Sequence, residues 1–175
     1  MVNRRRLKDI HENAVIRQFK AYLEIDGVRL KVLDRPEPPE AIVDIDGKRT
    51  WIEITDAFLD KKHAIGLTSG ACDDVEHVSD DGRLIIDPDA TFSSVLHSVI
   101  EAKYDKASMH SIAKSLGSGI LLVGIFTPFT TAEAIANQEA AAIAELASSK
   151  PIQVFESIYA YDGTGQRTFH VLYCR

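Results

Sequence analysis

The chain is poor in cysteine, with only Cys72 and Cys174 among 175 residues. Two thiols make neither a disulfide framework nor a cysteine-rich metal site. Their scarcity points to a reducing, cytoplasmic setting. No apolar run approaches the roughly 20 residues that cross a bilayer as a helix, so no membrane partner is expected. The opening Met-Val-Asn-Arg-Arg-Arg leads into no apolar stretch, so no signal peptide is read. An excess of positive charge is also missing: 20 Lys and Arg stand against 26 Asp and Glu, a net charge of −6. Broad, unaided binding to a polyanion usually needs a basic surface, which counts against that class. Clustered functional acids would lower the net charge by themselves. A glycine-rich phosphate loop of the required spacing is absent.

What remains is ordinary for a globular protein: 45% hydrophobic and 26% charged residues. The length suits a single domain over residues 1–175 with a core that needs no staples. Residues 5–24 have helical periodicity, with Val15, Ile16, Phe19 and Leu23 on one stripe. Glu12 lies four and seven residues before Ile16 and Phe19, on that apolar face. It is either an acid that needs a partner or one favoured by the helix dipole. A first strand is expected within 25–34, after the Asp26-Gly27 turn, and Arg35-Pro-Glu-Pro-Pro then breaks regular structure. Residues 56–90 read as a long loop with a short helix and a strand at 83–86. A helix is expected over 91–109, running on toward Leu116, with Leu96, Val99, Ile100, Lys103 and Ala107 on one stripe. Gly119 to Phe126 is a continuous apolar run, typical of a strand covered on both faces. Thr130-Thr-Ala-Glu133 reads as a capping box for a helix to Ser148. Two further strands, 152–161 and 166–173, flank Asp162-Gly-Thr-Gly. The order is α-β-β-β-α-β-α-β-β, an α/β fold.

The richest stretch runs from Pro38 to Thr55. Asp46-Gly47 is a type I′ turn signal between strands at 41–46 and 48–55. A two-residue turn pairs Ile45 with Lys48, and counting outward sets Glu40 opposite Glu53. Directly opposed side chains share a face, with Cβ atoms about 4.5–5.5 Å apart. Two carboxylates that close need a proton or a cation between them, so the pattern points to a divalent-metal site at Glu40 and Glu53. Thr55 alternates onto the face of Glu53. Asp44, a rival acid, falls opposite Arg49 and reads as a surface pair worth little.

These residues resemble the PD-(D/E)xK phosphodiesterase superfamily, the restriction-endonuclease-like fold. Pro39-Glu40 and Ile52-Glu53-Ile54-Thr55 match its acid at a strand start and its acid-x-Lys strand, with Glu for the usual Asp. The resemblance covers about 7–127 in order of elements and 38–55 in particular residues. It implies a mixed central sheet flanked by helices, Mg²⁺ or Mn²⁺ on Glu40 and Glu53, and hydrolysis of nucleic acid, DNA rather than RNA. Glu12 would match the family's helical Glu and orient the metal's waters. Thr55 stands where the family has Lys, and a hydroxyl carries no positive charge. Lys103 is the candidate replacement, against the reading of a lysine that merely snorkels; Lys106 is second choice. A catalytically inactive member acting as a binding or structural module is the alternative. A third reading is an unrelated α/β protein with two exposed strand acids.

Other constellations are weaker. His63, His77, His97 and His110 have no metal-ligand spacing, and Thr68-Ser69-Gly70 with Cys72 makes no nucleophile elbow. Asp73, Asp74, Glu76, Asp80 and Asp81 read as a solvated loop. Arg4-Arg5-Arg6 reads as a solvated terminus before a phosphate contact. Phe155, Tyr159 and Tyr161 read as core and cross-strand pairs before base-stacking residues.

Overall fold

A computed structural model of the chain describes residues 4–59, 88–163 and 167–175. The Asp46-Gly47 turn has the two positive φ angles, 49° and 87°, that a type I′ hairpin requires. It joins β2 (Ala41–Ile45) to β3 (Lys48–Phe58) in the register Ala41↔Ile52 to Ile45↔Lys48. Asp44 Oδ1 accepts from Gly47 N–H at 2.9 Å and so ties the turn itself. That contact replaces the expected pairing with Arg49, which lies opposite but makes no ion pair with it among the described residues.

Before the hairpin come α1 (Arg4–Ile25) and β1 (Leu30–Asp34). After it come α2 (Pro88–Tyr104), α3 (Ala107–Leu116), β4 (Gly119–Phe126), α4 (Ala132–Ser149), β5 (Phe155–Asp162) and β6 (Phe169–Cys174). The strands form one sheet in the order β1-β2-β3-β4-β5-β6. β3-β4 and β4-β5 are parallel and the other pairs antiparallel, so the protein is α/β, with a six-stranded mixed sheet among the described residues.

Each face carries its own core. Trp51, Ala57, Leu121 and Val123 pack with Phe92, Leu96 and Ile100 of α2, Met109 of α3 and Ile135 and Ile143 of α4. Ile52, Ile54 and Leu122 pack on the other face with Val15, Ile16 and Phe19 of α1. Both cores need β4, which explains its unbroken apolar run. Gly119 is needed by the first: a Cβ there would lie 2.3 Å from the Trp51 ring. Trp51 Nε1 donates to Gly117 O at 2.8 Å, which satisfies its one donor.

Three expectations are corrected. The helix over 91–109 does not run on to Leu116. It starts at Pro88 and stops at Tyr104, and Lys106, in extended conformation, begins α3. The break lets Tyr104 and Met109 both enter one core. The cap of α4 is Thr131, whose hydroxyl accepts from Ala134 N–H, one residue beyond the expected box. β5 begins at Phe155, since Pro151 and Ile152 form a bend. The helix and strand expected within 60–87, with His63, His77, Cys72, Thr68-Ser69-Gly70 and the acidic run, lie outside the described residues, as does the hairpin tip at 164–166. No helix among the described residues is long and apolar enough to cross a membrane.

Candidate functional site

β2 begins at Ala41, opposite Ile52, so β3 runs on beyond its antiparallel partner. From Glu53 to Phe58 its ladder is the parallel one to β4. The other edge of that stretch opens into a cleft of about 390 Å³. Because the cleft lies at an edge, side chains from both faces of β3 reach it: Glu53 and Thr55 from one, Asp56 from the other.

Glu40 stands one step past the last ladder pair, at the position opposite Glu53. Its Oε2 accepts from Ile54 N–H at 3.2 Å, taking the place of the missing strand carbonyl. Glu53 is 1% exposed and Glu40 9%. Lys103, on the last turn of α2, places Nζ 2.5 Å from Glu53 Oε1 and 3.3 Å from Ile54 O. Glu53 Oε2 is buried with no hydrogen-bond partner among the described residues. Burial first, and then the adjacent Glu53 carboxylate, push the Glu40 carboxyl up to about 8, against the pull of Lys103.

The rim is a second charged group. Lys8 lies between Glu12, at 3.2 Å, and Glu37, with which it makes a closer contact. Burial raises the Glu12 pKa, and Lys8 opposes that rise. The structure thus brings Glu12, Glu40, Glu53, Thr55, Lys103 and Lys106 to one cleft. Lys103 is the inner lysine and Lys106 the outer, exposed and in no ion pair among the described residues. Arg6 is exposed on α1, and the side chains of Arg4 and Arg5 lie outside those described.

No family model, curated protein or solved structure matches this chain. The case for a function rests on the cleft itself.

Other sequence candidates fall elsewhere. His97 Nε2 meets Glu139 Oε2 at 2.9 Å while Ser93 donates to Oε1 of the same carboxylate, bracing α2 against α4. His110 Nε2 contacts Tyr104 O across the helix break. Phe155 packs on Trp51 and Tyr104, and Tyr159 on Phe19. Four cleft residues were missed: Lys8, His11, Glu37 and Asp56. Lys8 had a signal, since it stands four residues before Glu12 at helical spacing. Asp56 had none, because alternation assigns it to the buried face and only the open edge brings it into the cleft.

The donor set suits a hard cation. All the acids are oxygen donors, and among the described residues no thiol lines the cleft and one buried Glu53 oxygen has no partner. Two oxygens, Glu53 Oε1 and Ile54 O, already converge on a single positive charge, the Lys103 ammonium. No group of three or more His, Cys, Asp or Glu among the described residues is placed to hold a metal ion. A main-chain carbonyl and waters would therefore have to complete the coordination.

Proposed function

We propose that this protein is a divalent-metal-dependent phosphodiesterase of the restriction-endonuclease-like fold, hydrolysing nucleic acid, DNA in preference to RNA. The observation that carries this reading is the Glu40–Glu53 pair on an open strand edge, with Lys103 reaching Glu53 from the following helix. The order of elements supports it, as does the parallel pairing of the acid-bearing strand with β4.

Glu40 and Glu53 would hold Mg²⁺ or Mn²⁺, with the Ile54 carbonyl as a third oxygen. The bound metal would supply a water of lowered pKa and neutralise charge developing on phosphate. Lys103, which reaches the cleft from the last turn of α2, would set its ammonium against a non-bridging phosphate oxygen. Thr55 would add a hydroxyl donor but no charge. Glu12, held by Lys8, would accept hydrogen bonds from water at the cleft rim.

A second reading has its own support. Lys103 already gives Glu53 a counter-charge, so the fold does not need a metal, and Thr55 leaves the acid-x-Lys pattern incomplete. The protein would then be an inactive binding or structural module. Metal titration separates the two. Millimolar Mn²⁺ should raise the melting temperature of the wild type, and that rise should vanish in Glu53→Gln. An unchanged melting temperature would remove the enzyme reading and leave the binding module and the unrelated α/β protein.

A further inference from the structure

A second polar cluster lies on the α1 side of the sheet and shares the cleft through His11 and Asp56. Tyr161 Oη donates to Asp56 Oδ1 at 2.8 Å, and His11 Nε2 lies 3.2 Å from Asp56 Oδ2. Burial, then the Asp56 charge, hold the Tyr161 phenol well above its usual pKa, so it remains a donor. Arg167 Nη2 approaches His11 Nδ1 at 3.4 Å, and Nη1 donates to Gln18 Oε1 at 2.8 Å. An arginine can only donate, so a hydrogen bond between the two is accepted by Nδ1, with Nε2 on the side of Asp56. The cluster is built on Gly124, where a Cβ would fall 2.4 Å from Asp56 Oδ1 and 2.8 Å from Tyr161 Oη.

Arg167 is the odd member. It is half-buried, and its contacts are the Gln18 amide, the His11 ring and the Tyr161 ring, 5.9 Å from the guanidinium carbon. No carboxylate pairs with it among the described residues. Among the described residues the two hydrogen bonds use at most two of its five N–H groups, and Nε is buried without an acceptor. A half-buried guanidinium without a counter-ion is costly, and the oxyanion whose geometry best matches its fork is a carboxylate or a phosphate. The Asp56 charge nearby is already met by two donors. The cluster also sits at the carboxyl end of the parallel strands β3, β4 and β5, where open α/β sheets bind ligands.

We propose that Arg167 is a phosphate anchor, gripping a backbone phosphate of the nucleic acid whose reacting phosphate lies at Glu40 and Glu53. The identity of the polymer rests on the reading above; the anchoring does not require cleavage. Gln18 and His11 are positioning residues that hold the guanidinium fork.

The test is fluorescence anisotropy with a short labelled single strand, in Ca²⁺, from about 50 to about 200 mM salt. Wild type, Arg167→Ala, Arg167→Lys and Arg29→Ala are compared. Arg167→Ala should bind about tenfold more weakly, and its log K against log salt slope should flatten by about 0.7, one single-strand phosphate. Arg167→Lys should keep the slope and lose part of the affinity, because an ammonium lacks the fork. Arg29→Ala, at an exposed arginine beside Asp46, should match wild type. If Arg167→Ala does not fold, the side-chain N–H signals of Arg167 in ¹⁵N-labelled wild type should shift on addition of the same strand. A folded Arg167→Ala with wild-type affinity and slope, or unmoved signals, overturns the anchor and leaves the nucleic-acid reading standing. A wild type without affinity for the strand overturns both.

Discussion

At the scale of single residues the cleft depends on charge compensation. Glu53 is buried in full and Lys103 in large part, and removing one partner of such a pair typically costs about 3–5 kcal/mol. Lys103→Ala should therefore lower the denaturation midpoint as well as abolish Mg²⁺-dependent cleavage of DNA, while metal binding persists. Lys106→Ala, at an exposed position on the rim, should cost less on both counts. Thr55→Lys should preserve or raise cleavage, since it restores a cation beside Glu53. These variants are read by a cleavage assay and a urea titration of each. Cleavage that survives in both Lys103→Ala and Glu53→Gln marks a contaminating nuclease.

Gly119 makes a second residue-scale case. A methyl group there meets the Trp51 ring in a core with no slack, and overpacking typically costs about 1–3 kcal/mol. Gly119→Ala should shift the urea midpoint by that amount. An unchanged midpoint would mean that Trp51 can move, and with it the strand that carries Glu53.

Among the elements, the hairpin was the most legible in the sequence. Its turn residues demand positive φ, which leaves one turn type and one register, so the position of Glu40 opposite Glu53 followed by counting. β4 was legible for a related reason: a strand covered on both faces has no polar alternation, and its eight apolar or glycine residues match the observed bounds. The break between α2 and α3 was not legible, because the apolar stripe continues through it. Tertiary packing of Tyr104 and Met109 decides that point. The cap of α4 was misplaced by one residue because Thr130 and Thr131 are chemically equivalent there. Thr131→Ala should cost about 1 kcal/mol of stability and Thr130→Ala much less, as measured by thermal melts of the two variants.

For the whole molecule, Glu40 couples the site to stability. Its pKa is raised in the fold from 4.5 to about 8. The contribution is fully present below the unfolded value. Stability is lost as pH rises toward the folded value, at roughly 1.4 kcal/mol per pH unit, because the unfolded chain releases the proton first. In chelator, wild type should lose stability between pH 4.5 and about 8 relative to Glu40→Gln, whose curve lacks this component. Parallel curves for the two proteins would mean that Glu40 is ionised in the fold.

The sequence alone determined the order of the strands, the hairpin register and the pairing of two acids, because turn chemistry and strand period act locally. It also determined that Thr55 brings no charge to that pair. Only the tertiary structure decided which lysine meets Glu53, since the side chain comes from an element 50 residues away. It alone decided that β3 runs on to Phe58, three residues past the expected end, because its pairing there is with β4. The open edge of β3 brings Asp56 and His11 into the same cleft as Glu53, a meeting of opposite sheet faces that a period of two cannot express.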